Sequence, residues 1–368
     1  MMKLPWIVLP AALFAASCLN VTEERVERDR QVGRAERDGV HVRVDDGLAA
    51  VRRLAPGELE LWANAPELSA TLTLPVQAPA RQTFTLRIRN VLPTAEITLE
   101  REGASVELTP VSTTIVTERR ARFEPGEGGT FRLRVSAPGT TTAEPFVFLA
   151  FADVQDALED VGDVFGKMNR ESDAAFVIMA GDITERGTRT ELERFQNEQK
   201  ALRIPIFATL GNHELGTSDV PFYEYFGRGS QSFTYRGARF TALDSASATL
   251  DPTVYEWLDE WLERGRGSTH FVYMHVPPVD PVGVRNGCFS SRAESDKLVA
   301  RLARGGITAT FYGHVHSYYS FEHAGIPAFI SGGGGAIPER FDGIGRHFLR
   351  VSVDPLARAF TSRVVRVD

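Results

Sequence analysis

An all-β unit followed by an α/β unit is the architecture this sequence predicts, and three observations carry the expectation. Residues 41–143 contain alternating runs such as ATLTLPV, QTFTLRIRNV, AEITLERE and GTFRLRV, separated by Pro, Gly and Asn at roughly regular spacing, the pattern of a β-sandwich or barrel. From residue 146 onward, apolar β-like runs alternate with amphipathic helical stretches. Those runs end in oxygen or imidazole donors, in FVFLAFAD, AAFVIMAGD, IPIFATLGNHE, HFVYMH and ATFYGHVH. Open α/β sheets hold their ligands at such carboxyl ends of strands.

Taken in order, the chain opens with a targeting segment, residues 1–18. Lys3 is its charged start, LPWIVLPAALFAA is its apolar run, and Ala15-Ala16-Ser17 precedes Cys18. The run is shorter than the ~20 residues a spanning helix needs. Small residues before a Cys resemble a bacterial lipobox, although Ala15 stands where Leu is commoner. The expectation is export, with Cys18 lipidated and holding the protein at a membrane of the cell envelope; plain signal cleavage would instead give a periplasmic or secreted protein. The chain has two cysteines, Cys18 and Cys288, and lipidation of the first would preclude a disulfide between them.

Residues 19–40, dense in charges of both signs and poor in large apolar side chains, read as a solvated tether, with a short exposed helix as the alternative. The β unit, residues 41–143, has no cluster of His, Cys or acids and reads as a structural immunoglobulin-like sandwich, or else as a module that binds carbohydrate or a partner. The linker SAPGTTTAEP closes it. In the α/β unit, residues 146–368, helices are expected at about 155–169, at about 188–202 with Leu192, Phe195 and Gln199 near one face, over TVYEWLDEWLERG, and at about 292–304; the remainder to the C-terminus is mostly strand.

Composition narrows the partners. With 41 Lys and Arg against 48 Asp and Glu the formal net charge is −7, so the overall field repels polyanions and nucleic acid is not an expected partner.

The donors at the strand ends are Asp153, Gly181-Asp182, Gly211-Asn212-His213-Glu214, His275 and Gly313-His314-Val315-His316. A pair of cations about 3.5–4 Å apart is held by one bridging carboxylate and flanking ligands, and this set supplies them. In order and residue type, the set resembles the calcineurin-like metallophosphoesterases, over roughly residues 146–368. The resemblance implies a four-layer αββα sandwich. It further implies that Asp182 bridges two metals, that Asp153 and His316 serve one of them, and that Asn212, His275 and His314 serve the other. His213 would assist the departing oxygen, with Glu214 close enough in sequence to orient it. The family's reaction is attack on a phosphoester by hydroxide that two metals make available.

The family commonly opens Asp-x-His, and here the run is Asp153-Val154-Gln155. A Gln amide oxygen is a harder donor than imidazole, so direct ligation by Gln155 favours Mn²⁺ or Fe²⁺, with Zn²⁺ less suited. Alternatively Gln155 bonds a metal-bound water or caps the following helix. Purple acid phosphatases also carry GNHE and a β-rich N-terminal domain, but their tyrosine ligand falls where Glu185 stands, so no purple Fe³⁺ centre is expected.

The loop after His275, VDPVGVRNGCFSSR, contains Arg285, Asn286 and Arg292, which suit a substrate phosphate; a solvated loop with Arg292 at a helix start is the competing reading. Gly332 to Gly335 lacks a following Lys-Ser/Thr and is not a P-loop. His41, His270, His323 and His347 match no motif. The expected function is metal-dependent hydrolysis of a small-molecule phosphoester by a phosphodiesterase or broad-specificity phosphatase; a noncatalytic envelope binding protein with a decayed site is the alternative.

Overall fold

A computed structural model of the chain describes residues 21–75, 83–283, 287–339 and 343–368. The targeting segment and Cys18 lie outside the described residues, as do Arg285 and Asn286. Six α-helices occur among the described residues: α1 (Thr22–Gln31), α2 (Val161–Met168), α3 (Arg189–Glu198), α4 (Phe222–Tyr225), α5 (Pro252–Arg264) and α6 (Arg292–Arg304).

The N-terminal region forms two sheets. One is six-stranded, in the order Arg34–Arg37, Val40–Val44, Leu68–Leu74, Gly129–Ser136, Glu96–Arg101, Ala104–Ser105; the other is five-stranded, in the order Ala49–Ala55, Glu58–Ala63, Phe84–Arg89, Glu118–Phe123, Thr109–Val111. Strand Leu68–Leu74 alternates buried and half-buried residues along its length, the period-two signature that made it legible in the sequence. Leu59, Leu61, Leu72, Leu86, Ile88 and Leu133 are fully buried between the sheets.

Two more sheets form the second region. The first runs Ile206–Ala208, Ala174–Met179, Phe146–Phe151, His347–Asp354, Ala359–Arg366; its first three strands are mutually parallel and its last two antiparallel. The second runs Gln231–Tyr235, Ala238–Leu243, Thr269–Met274, Ala309–Tyr312, Ile326–Ser331, Tyr318–His323, with parallel pairing through its centre. Phe148 and Phe176 of the first sheet meet Phe240, Phe271 and Phe311 of the second at ring-centroid distances of 5.1–5.6 Å. On the outer face of the first sheet, Val164 and Phe165 of α2 and Leu192 and Phe195 of α3 bury against Leu149, Val177 and Met179. On the outer face of the second, Leu258 of α5 and Leu298 and Leu302 of α6 bury against Val272, Met274 and Ile330. Helix, sheet, sheet, helix is therefore the layer order.

Local chemistry starts these helices where the sequence directs. Thr188 and Glu191 form a reciprocal capping box on α3, Asp251 caps α5 ahead of Pro252, and Ser291 caps α6. The stretch expected as one helix from about residue 155 is instead a 3₁₀ turn, Gln155–Glu159, followed by α2. Gln155 at φ 48° keeps an α-helix from starting there, and Ala157 at ψ 21° interrupts helical geometry inside the turn.

The reading of residues 19–40 as a tether is corrected for the described part. Thr22–Gln31 is a docked helix, and Arg25 and Asp29 are 1% exposed. Arg25 Nε donates to Asp244 Oδ2 at 2.6 Å, and Asp29 accepts from the Gly229 and Ser230 amides at 2.8 and 3.1 Å. Each buried charge has a partner about 200 residues away, so nothing local in the sequence signals the burial.

Candidate metal centre

All the metal ligands expected from the sequence converge at the carboxyl ends of strands Phe146–Phe151, Ala174–Met179, Ile206–Ala208, Thr269–Met274 and Ala309–Tyr312. The loops leaving these strands are pressed together by glycines that no other residue can replace. A Cβ on Gly211 would lie 2.1 Å from Asp182 Oδ1, and one on Gly313 would lie 2.7 Å from Asp153 Oδ2. Asp153, Gln155, Asp182 and His314 adopt φ of 65°, 48°, 50° and 69°, the left-handed region that side chains disfavour. Four strained non-glycine residues in one cluster, at about 1–3 kcal/mol each, persist only where the surroundings over-determine them.

Two donor triads result. Asp182, His275 and His314 form one, Asp153, Asp182 and His316 form the other, and within each the ligand atoms lie within 4.8 Å of one another. Asp182 belongs to both. Its Oδ2 is 3.2 Å from His275 Nε2, while its Oδ1 accepts the His213 amide at 2.9 Å. Asn212 Oδ1 is 2.9 Å from both His275 Nε2 and His314 Nδ1. Gln155 Nε2 donates to Asp182 Oδ2 at 2.8 Å and is 3.1 Å from His316 Nε2. Gln155 therefore lies beside the cluster with its amide nitrogen toward it, and exchange of its amide oxygen and nitrogen would turn the oxygen toward the same point.

Backbone carbonyls fix three of the imidazoles. The Nδ1 of His275 is 2.8 Å from Ala180 O, that of His316 is 2.8 Å from Ile337 O, and that of His213 is 2.7 Å from Glu185 O. An Nδ1–H bonded to a carbonyl directs Nε2 at the cluster, the arrangement that orients metal-binding histidines.

The electrostatics suit a cation. Asp153 and Asp182 are 0% and 1% exposed and, among the described residues, have only imidazoles as partners of opposite charge. Burial pushes the Asp153 carboxyl up to about 6, with Asp182 adding to the shift against His275 and His316. Burial alone would lower the His275 imidazole, but Asp182 and then Asp153 overcome it and lift it to about 9. Buried carboxylates surrounded by neutralisable imidazoles and two amide groups make a donor set of mixed N and O type, which fits divalent first-row metals.

His213 is 28% exposed at the rim of the cluster, its Nε2 3.9 Å from Asp182 Oδ2. Burial would lower its imidazole, yet the Asp182 carboxylate and the Glu185 carbonyl raise it. Glu214 does not orient His213 through a hydrogen bond. It is neither a surface carboxylate nor bonded to His213; fully buried, it accepts from Gly211 N at 2.9 Å, Thr184 N at 3.0 Å and Thr184 Oγ1 at 3.1 Å, tying the loop after Asp182 to the loop carrying Asn212. Arg292 is the exposed first residue of α6. The loop after His275 does lie beside the cluster, since a Cβ on Gly287 would be 3.4 Å from His314 Cδ2. Thr184 and the carbonyls of Ala180, Glu185 and Ile337 carry no sequence signature and emerge only from the fold.

Known proteins resemble this part of the chain. Residues 146–318 match the family described as calcineurin-like phosphoesterase. Over these residues, a little under half of the chain, it is similar to that family. A 3',5'-cyclic-nucleotide phosphodiesterase of Nostoc is 24% identical over 153 residues, 39% of this chain and 56% of that protein. A mouse serine/threonine-protein phosphatase, CPPED1, is 25% identical over 217 residues, 47% of this chain and 70% of that protein. The chain thus spans little more than half the length of the Nostoc relative. The structure of a purple acid phosphatase from yellow lupin seeds shares the fold at a TM-score of 0.54 and 13% identity, covering 82% of this chain and 70% of that one.

Proposed function

We propose that this protein hydrolyses phosphoester bonds of small molecules with the help of two divalent cations held by Asp153, Gln155, Asp182 and His316 on one side and Asp182, Asn212, His275 and His314 on the other. The observation that carries the reading is the membership of Asp182 in both triads, since a two-cation site needs one carboxylate common to both. Bound there, the cations would lower the pKa of the attacking water and neutralise charge on the phosphoryl oxygens.

The chain's own residues do the rest. The bonds from the His213 and His314 amides hold the Asp182 and Asp153 carboxylates in place. Glu214 and Thr184 keep the two central loops in register. His213, with Nδ1 committed to the Glu185 carbonyl, presents Nε2 at the rim, where a proton on that atom can pass to a departing alkoxide. The relatives named as a cyclic-nucleotide phosphodiesterase and a protein phosphatase favour diesterase or broad phosphatase activity, with Mn²⁺ or Fe²⁺ favoured by the amide donors over Zn²⁺.

Export and a lipid on Cys18 are proposed from residues 1–18 alone; none of the described helices is long and apolar enough to cross a membrane. The strands before residue 137 support an immunoglobulin-like sandwich there.

The test is metal analysis of protein purified without chelator, together with a panel of aryl phosphate mono- and diesters. Two metals per chain and turnover of at least one ester are expected. Absence of hydrolysis with Mn²⁺, Fe²⁺ or Zn²⁺ supplied would overturn the proposal and favour a binding protein.

A further inference from the structure

Strand Ile206–Ala208 stands at the edge of its sheet and leads directly into the loop that carries Asn212 and His213. On its inner side it bonds Ala174–Met179 through the Pro205 carbonyl and the Thr209 amide. In a strand, alternate residues face opposite neighbours, so Ile206 and Ala208 turn their backbone groups to the open edge. Another strand would ordinarily satisfy them. Here two asparagines of the N-terminal region do so. Asn90 donates from Nδ2 to Ile206 O at 2.7 Å and accepts from Ile206 N on Oδ1 at 2.9 Å. Asn64 accepts from Ala208 N at 3.2 Å and donates to Ala208 O at 3.4 Å.

Each side-chain amide thus takes both backbone groups of one residue, and the two sit two residues apart, the spacing of a paired strand. Both are anchored. Asn90 Nδ2 also donates to Ala63 O at 2.7 Å, and its Oδ1 accepts from Gln199 Nε2 at 2.8 Å. Asn64 O accepts from Gln231 Nε2 at 2.8 Å, and Asn64 N donates to Leu48 O at 2.8 Å. Asn64 is 0% and Asn90 2% exposed, and Asn90 holds φ 61°, a conformation asparagine tolerates better than most residues.

We infer that Asn64 and Asn90 are positioning residues for the candidate metal centre: they stand in for the missing edge strand and so fix the register of the segment that delivers Asn212 and His213. The N-terminal region is then a built part of the site and not an appended module. The inference rests on the proposed phosphoesterase reading for its effect on catalysis, though not for its effect on the loop.

The experiment uses the full chain with Asn64→Leu and Asn90→Leu combined, compared with Arg52→Ala, which removes another contact between the same two regions, to Glu224 O and the Tyr225 ring, without touching strand 206–208. Hydrogen–deuterium exchange of peptides covering Gly211–Leu215 is the first readout and needs no activity. Faster exchange is expected in the double variant and parent-like exchange in Arg52→Ala. The second readout is kinetic: kcat about 10–100-fold lower in the double variant with KM within about threefold, because a shift of ~1 Å at a positioned group costs on the order of 10²-fold. Unchanged exchange at Gly211–Leu215 overturns the positioning role whatever the activity. Equal exchange gains in both variants also overturn it, by reducing it to general interface stability. Faster exchange confined to the double variant, with a parent that hydrolyses nothing, retains the positioning role and removes the phosphoesterase reading instead. Should the double variant not fold, Asn90→Asp, which keeps the acceptor and loses the donor, is expected to move both readouts part of the way, and parent-like values in both refute the role.

Discussion

Two clusters of buried charge in this molecule look alike in composition and differ in what closes them. Around α1, Asp29 and Asp244 are buried beside Arg25 and Arg228, guanidinium groups that stay charged at any ordinary pH. At the strand ends, Asp153 and Asp182 are buried as deeply but, among the described residues, face only imidazoles and amides. Burying a carboxylate costs several kcal/mol unless a cation answers it. In the first cluster the chain supplies that cation covalently, so the cluster is a rivet. In the second it supplies lone pairs converging on common points, which is how a chain leaves room for a cation from outside. Burial of acids alone therefore says little about function; the partners decide.

Asp182→Asn should break the second cluster with the largest effect, abolishing hydrolysis and lowering metal content at both positions, as measured by elemental analysis and ester turnover. Two metals per chain with substantial activity would refute a shared carboxylate. His213→Ala should come next, retaining its metals and losing about 10²–10⁴ in rate on alkyl phosphoesters, where a general acid is needed, and less on nitrophenyl esters. Equal losses on the two substrate types would assign His213 to the phosphoryl oxygens.

Arg25→Met breaks the first cluster instead. It strands Asp244 in the interior and should cost about 3–5 kcal/mol in chemical denaturation, with metal stoichiometry unchanged in the folded protein. Loss of metal in that variant would erase the distinction between the clusters. Gln155→His should shift the balance of activity from Mn²⁺ toward Zn²⁺. An unchanged preference would leave Gln155 bonding a water or the Asp182 carboxylate.

The smallest effect concerns a histidine with no carboxylate partner. His270 ends up five residues before His275, and burial, reinforced by Arg239, lowers it to about 3, whereas the carboxylates raise His275 to about 9. Neutral in the fold and protonated near pH 6.5 when unfolded, His270 supports stability fully above that pH and loses its contribution as pH falls toward 3. Stability should decline by about 1 kcal/mol per pH unit below 6 from this residue, and His270→Gln should flatten that part of the curve. An identical pH profile in the variant would mean that His270 titrates normally.

How legible these features were in the sequence depends on how far away their partners lie. The ligands could be read because each follows its own apolar run, a local pattern that places the donor at a strand end. Helices α3, α5 and α6 could be read because period and cap are adjacent in the chain. Glu214 could be placed beside the site but not given its task, since its partners at Gly211 and Thr184 meet only after two loops fold together. The charges of α1 looked solvated because Asp244 and Gly229 are more than 190 residues distant. Asn64 and Asn90 gave no signal at all, an asparagine at a strand end being an ordinary turn residue until an unpaired edge is seen beside it.

The left-handed backbone at Asp153, Gln155, Asp182 and His314 sets stability against the donor set. Glycine would relax each of these positions, so a lineage selected for heat resistance alone would gain by discarding the donors first and would keep its sheets, helices and rivet intact. Holding all four side chains in so unfavourable a conformation gives up stability that glycines would recover, and what it secures is the placement of the donors.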